Sequence, residues 1–169
     1  MANIGLRPSE VGDRSEIGHW EADHLIGWRN RSALMSLTER VTRYVMLITM
    51  PEGYSADAAL AGMCEAFERI PAHLRRSVTF DQGSEWAHWE TLVATFDLDC
   101  WFCDPHSRWQ RGQIENQNGH WWCWFPRGTR LENIEPEHAN AMAYFVNNQR
   151  RWSLHYQTPA TLYAVATAY

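Results

Sequence analysis

No apolar run in this 169-residue chain approaches the roughly 20 residues that a membrane span needs. The longest, Tyr44 to Met50, has the length of a buried strand. The opening M-A-N-I-G-L-R-P-S-E holds neither an apolar core nor a cleavage site, so no signal peptide is read and a cytoplasmic protein is expected. Lysine is missing altogether. All 15 basic residues are arginine, against 20 acids, for a formal net charge of −5. Such a balance lacks the basic footprint usual for a nucleic-acid partner. Two details weaken that exclusion: arginine is the better phosphate fork, and Arg108, Arg111, Arg127 and Arg130 fall in a stretch whose one acid before Arg130 is Glu115. Acids that bind metal also inflate the bare sum, so charge does not decide.

Cysteine is sparse: Cys64, Cys100, Cys103 and Cys123. Cys100 and Cys103 form a C-x-x-C followed by His106, which raises zinc. D-L-D-C-W-F-C reads as a strand, however, where positions three apart point to opposite faces, and no second ligand pair stands at zinc-finger spacing. Reduced, mostly buried thiols are the plainer expectation. No internal repeat or low-complexity tract is present.

What is there is a globular composition, 45% hydrophobic, in one domain's length of chain. Ten tryptophans are an unusual number; most are expected to pack, a few to offer stacking surfaces. Residues 1–18 read as an irregular lead-in, and residues 19–169 as one folded core. His19 to Gly27, 33–38 and 42–50 are expected strands, the last two joined by a tight E-R-V-T turn, which makes an antiparallel three-strand meander. Ser55 can cap a helix with apolar Ala59, Leu60, Met63, Cys64 and Phe67 at helical spacing, ended by Pro71. The strand S-V-T-F then runs into Asp81-Gln82-Gly83. A helix over Glu85–Phe96, the D-L-D-C-W-F strand, a loop over 103–112 and a helix from near Gln113 to before Pro126 follow. A helix from Pro136 to about Arg151 and a short one after Thr158-Pro159 close the chain. This order predicts an α/β fold: a mixed five-stranded sheet, three antiparallel strands plus two more, with helices on both faces, the arrangement of an RNase H-like fold.

Three acids stand where chemistry would want them. Asp23 lies inside the first strand, where a charge without a partner is costly. Asp81 ends the S-V-T-F strand beside Gly83, at a strand edge open to a cleft. Glu115 falls in the opening turns of the helix after the 103–112 loop. Converging carboxylates of this kind suit a pair of hard divalent cations about 3.5–4 Å apart working on a phosphodiester. Each acid also has a plainer reading: Glu115 as a helix-dipole partner, Asp81-Gln82-Gly83 as a turn. Asp23, among Trp20, Ala22, Leu25 and Ile26, has no such plain motive.

Ordered motifs span nearly the whole chain. They are R-P-S-E-V-G-D-R-S-E-I-G-H-W-E-A-D-H-L-I-G, L-T-E-R-V-T-R-Y, I-P-A-H-L-R-R-S, T-F-D-Q-G-S-E, W-F-C-D-P-H-S-R-W-Q-R-G-Q-I-E-N-Q-N-G and F-P-R-G-T. Together they resemble the integrase-type core of IS-thirty-type insertion-sequence transposases. The resemblance implies a retroviral-integrase-like fold and the D-D-E acids Asp23, Asp81 and Glu115 as catalytic metal ligands. It further implies Mg2+ or Mn2+ in a two-metal site, and strand cleavage followed by transfer into target DNA. By the same resemblance, Asn116 and Asn118 orient ligands or touch phosphate, while His106, Ser107, Arg108, Trp109, Gln110 and Arg111 form a loop meeting DNA. Trp109 could stack on a nucleotide or equally anchor its loop to the core. H-W-W-C-W-F after Gly119 departs from relatives that carry a basic residue there, and Trp122 falls on about the face of Glu115.

Full-length members carry a helix-turn-helix region ahead of the core, and this chain begins at the core. The expected partners are DNA ends, target DNA and further copies of the chain assembled on DNA, at the nucleoid, with no membrane. A remnant that binds DNA or pairs with full-length transposase without catalysis is the alternative, and a structure-selective nuclease, cleaving without joining, is a third.

Overall fold

The structure, a computed structural model, describes residues 2–105, 119, 121, 124–126 and 128–168. A mixed sheet lies at its centre, with strands β1 (Ala2–Asn3), β2 (His19–Ile26), β3 (Ala33–Glu39), β4 (Val45–Met50), β5 (Ser77–Phe80) and β6 (Asp99–Phe102). Their spatial order is β1-β6-β5-β2-β3-β4. β2, β3 and β4 form the expected antiparallel meander, and β5 joins β2 in parallel. The sheet has six strands rather than five. The sixth comes from the lead-in, where Ala2 and Asn3 pair in parallel with Trp101 and Phe102 and Asn3 Nδ2 donates to Asp104 Oδ1 at 2.7 Å.

Alternation along the strands sorts side chains into two layers. Trp20 and Ala22 of β2, Met35 and Leu37 of β3, Val78 and Phe80 of β5 and Phe102 of β6 face one way. There they pack with Ala59, Met63, Ala66 and Phe67 of the helix Ala56–Glu68 and with Leu92 of the helix Trp89–Phe96. Leu25, Leu34, Val45 and Leu47 face the other way, against Trp121, Phe125, Leu131 and the Ala139, Met142, Ala143 and Val146 stripe of the helix Pro136–Asn147. Helices thus cover both faces. Among the described residues no helix is long and apolar enough to cross a membrane.

Local chemistry explains the boundaries. Ser55 Oγ accepts from the Ala58 amide and caps the first long helix, as its position predicts. The turn after β3 is built by the Glu39 carboxylate, which accepts from the amides of Val41 and Thr42 and from Thr42 Oγ1. The expected Glu85–Phe96 helix is instead a 3-10 turn at Ser84–Trp86 followed by a helix from Trp89, because Trp86 turns inward and is buried. The expected helix to Arg151 stops at Asn147, whose side-chain amide pairs with the backbone of Val45. Within the stretch expected to be helical before Pro126, Gly119, Trp121 and Trp124 are helical.

Candidate active site

β2 and β5 pair in parallel with His19 opposite Ser77, Trp20 opposite Val78 and Glu21 opposite Thr79. Continuing that register by two residues sets Asp81 beside Asp23, with neighbouring strands about 4.8 Å apart. Across β2 on the other side, Asp23 pairs with Ser36 and Glu21 with Thr38. The middle of this face is therefore polar where the rest of it is apolar: Glu21, Ser36, Thr38 and Thr79 are all buried.

Each carboxylate is held by donors close to it in sequence. Asp23 Oδ1 accepts from the His24 amide at 2.9 Å. Asp81 Oδ1 accepts from the Gly83 amide at 3.1 Å and from the indole Nε1 of Trp86 at 2.7 Å. Gln82 Nε2 donates to the Cys103 carbonyl at 3.0 Å and fastens the Asp81 turn to the end of β6. A Cβ at Gly83 would meet only the Glu85 carboxylate, 2.2 Å away at its nearest oxygen, so a side chain there would displace Glu85. Trp86 stacks on Phe80 (centroids 4.4 Å apart) and on His24 (4.6 Å), so the residue before Asp81 and the residue after Asp23 share one aromatic stack. The His24 side chain is 2% exposed, with Nδ1 3.8 Å from Glu85 Oε1.

Behind the pair, Glu21 is in a close buried ion pair with Arg40. Arg40 Nε also donates to the Val11 carbonyl, and Arg7 Nη1 reaches Thr79 Oγ1. Burial pushes the Arg7 guanidinium down to about 10, Arg40 adding to the drop and Glu21 opposing it. Burial lowers Arg40 as well, again against Glu21. The lead-in therefore does more than add an edge strand, since it delivers a guanidinium and a carbonyl to the buried polar strip.

Two aspartates at the ends of one register in this way offer the oxygen donors that suit a hard divalent cation. Among the described residues no group of three or more His, Cys, Asp or Glu is placed to hold a metal ion. Glu115 lies outside the described residues, as do His106, Arg108, Trp109, Arg111, Asn116 and Asn118, together with Ser107, Gln110 and Trp122. Cys100 and Cys103 are buried free thiols, and burial pushes Cys100 up to about 12. Residues that sequence reading passed over are Glu21 and Arg40, His24 and Trp86, and the W-R-N-R turn after β2. The signal for Glu21 was present: a second acid two positions before Asp23 on one strand points to the same face.

The chain is 40% identical over 168 residues to the transposase for insertion sequence element IS1086 of Cupriavidus metallidurans, a match covering 99% of this chain and 49% of that protein. It is 34% identical over 157 residues to transposase InsI for insertion sequence element IS30A of Escherichia coli, covering 92% of this chain and 40% of the relative. The chain is a homologue of IS-thirty-type insertion-sequence transposases. It spans about half the length of the curated relatives it matches, or less. No protein-family model matches this transposase homologue. In structure it is similar to the catalytic core domain of BIV integrase, with a TM-score of 0.65 at 17% identity over 90% of this chain and 97% of that one. It is similar too to a chain of a simian T-cell lymphotropic virus intasome, with a TM-score of 0.64 at 16% identity over 85% of this chain and 53% of the other. The fold of the homologue is thus that of an integrase catalytic core, RNase H-like, as expected from the order of its elements.

Proposed function

We propose that this chain is the catalytic core of a D-D-E transposase that cuts a phosphodiester at a transposon end and joins the freed strand to target DNA. Residues 19–169 form the catalytic unit in this reading, and Asp23, Asp81 and Glu115 are its metal ligands. What supports it is the parallel β2–β5 register, with Glu21 opposite Thr79, whose continuation past the end of β5 would set Asp81 beside Asp23.

The carboxylates hold and position; they form no bond to substrate. Two divalent ions, Mg2+ or Mn2+, would supply a deprotonated attacking oxygen and relief of charge on the leaving one. A water oxygen attacks phosphorus, the P–O3′ bond breaks and the 3′ oxygen leaves as a hydroxyl. That hydroxyl then attacks a target phosphodiester at the same acids, displacing another 3′ oxygen. On the protein side, Asp81 keeps Oδ1 in hydrogen bonds to Gly83 and Trp86, and the buried Glu21–Arg40 pair supports β2 beneath Asp23. His106, Arg108, Trp109, Arg111, Asn116 and Asn118 approach the DNA near the scissile bond. Further copies of the chain assemble on the same DNA, in the cytoplasm at the nucleoid.

The test is incubation with Mg2+ or Mn2+ and a branched, pre-cleaved transposon end, following joined and released products. Asp81→Asn and Glu115→Gln are expected to abolish both products while leaving the circular dichroism spectrum unchanged. Full activity in Asp81→Asn ends the assignment, and cleavage without joining in the unaltered chain assigns a nuclease instead.

A further inference from the structure

The turn joining β2 to β3 gathers three exposed arginines around one indole. Arg29 Cζ lies 4.3 Å from the Trp28 ring centroid, Arg130 Cζ 4.6 Å and Arg31 Cζ 5.8 Å. Two of the three are neighbours in sequence, and the third arrives from across the fold. It arrives because the backbone is clasped there: the Trp28 amide donates to the Thr129 carbonyl at 2.9 Å, and Ser32 Oγ donates to Glu132 Oε2 at 2.7 Å. Gly27 permits the approach. A Cβ at that position would stand 2.7 Å from Ser32 Oγ, 3.0 Å from Leu131 Cγ and 3.1 Å from the Thr129 carbonyl oxygen.

The conformation is expensive. Arg29 (φ 54°) sits in the left-handed region, at a cost of about 1–2 kcal/mol for such a side chain, and Asn30 (φ 58°), a residue that tolerates that region, follows it. Strain of this kind survives where surrounding contacts enforce it, and ligand clamps are among the places it collects. Three like charges around one ring repel one another, and Glu132, held by Ser32, offsets them in part. A guanidinium lying on an aromatic face keeps its N–H edge outward, which is the geometry for bidentate phosphate binding. An anionic backbone therefore relieves the repulsion and meets the donors.

The turn lies beyond the C-terminal end of β2, five residues on from Asp23. At about 3.3 Å per residue that is about 16 Å, or about five base pairs of duplex at 3.4 Å each. Resting on the reading of Asp23 and Asp81 as a phosphodiester site, the geometry points to the Trp28–Arg31 turn with Arg130 as a clamp on the phosphates of duplex DNA, about five base pairs from the scissile bond.

The experiment is duplex binding by the full chain, followed by fluorescence anisotropy in EDTA between 50 and 200 mM salt. No metal is present, so nothing in the readout depends on cleavage, and Asp81→Asn is expected to bind with the salt dependence of the unaltered chain even where it abolishes strand cutting. Each neutralised phosphate adds about 0.9 to the slope of log affinity against log salt. The R29Q/R31Q/R130Q chain is expected to lose about 2–3 of slope, so the unaltered protein should lose about 16–64-fold more affinity across that interval. R29Q and R31Q alone should each lose about 1. R69Q/R76Q/R150Q, at exposed arginines away from the turn, should keep the slope. An unchanged slope in the folded triple variant overturns the clamp, and so does an equal loss in the control triple, which would mean that bulk charge alone is read.

Discussion

The indole Nε1–H of Trp86 donates to Oδ1 of Asp81 at 2.7 Å, while the same ring stacks on His24, the residue after Asp23. One buried side chain thus orients one carboxylate and packs beneath the strand that carries the other. Trp86→Phe keeps an aromatic ring in the stack and removes the donor. The expected result is a loss of about 10–100-fold in activity or metal affinity, the usual cost of removing a partner behind a ligand. A titration of strand cleavage against Mn2+ in the two proteins measures it, with thermal melting alongside to show that the stack is intact. Equal activity at every Mn2+ concentration would leave the Trp86 bond without a role in the site.

The Glu21–Arg40 pair carries a second prediction. Both side chains are buried, at 1% and 3% exposure, and one Glu21 oxygen, Oε2, has no hydrogen-bond partner among the described residues. Removing the cation alone leaves a buried carboxylate uncompensated. Arg40→Met is expected to lower the unfolding free energy by about 3–5 kcal/mol, and the double variant Glu21→Gln/Arg40→Met to recover part of it. Urea denaturation of the three proteins checks this, and a double variant as unstable as the single one would show that packing of the arginine stem, not charge, is what matters.

Acid sensitivity should run through His19. Its side chain is 8% exposed, with Nδ1 2.7 Å from Ser77 Oγ and Nε2 3.1 Å from Glu16. Burial holds it below the ordinary 6.5, and Glu16 recovers part of the drop. With the folded value depressed, the unfolded chain takes up the proton first. Stability is then full above pH 6.5, falls as pH drops through 6.5 towards the folded value, and stops falling below it. His19→Gln should flatten the melting temperature between pH 7.5 and pH 5. An unaltered pH profile in that variant would assign the acid sensitivity elsewhere.

Much of this architecture is written locally in the chain. The meander follows from period-two patterning, the helix after Ser55 from its cap and apolar spacing, and the mid-strand acid Asp23 from its conflict with its apolar neighbours. The remainder depends on contacts distant in sequence. A two-residue strand such as Ala2–Asn3 has no period to read, and it exists because the edge of β6 offers it hydrogen bonds. Trp86 carries helix-compatible propensity, yet burial and the bond to Asp81 break the helix there. Arg29, Arg31 and Arg130 look like scattered surface charge until Gly27 lets the segment at Thr129 close onto the turn.

Asn147 shows the same dependence at the opposite edge of the sheet. Its Oδ1 accepts from the Val45 amide at 2.9 Å and its Nδ2 donates to the Val45 carbonyl at 2.8 Å, so a side chain completes the ladder where β4 would otherwise be bare. Both bonds are buried, which makes their loss costly: Asn147→Ala leaves a backbone donor and acceptor unpaired, at about 1–3 kcal/mol each. Asn147→Asp keeps the acceptor for the Val45 amide and loses the donor, so it should fall between the two. Amide hydrogen exchange at Val45 reads the difference directly. Exchange is expected to quicken strongly in Asn147→Ala and less in Asn147→Asp, whereas unchanged protection at Val45 in the alanine variant would mean that β4 is held by β3 and the core and the clasp adds nothing.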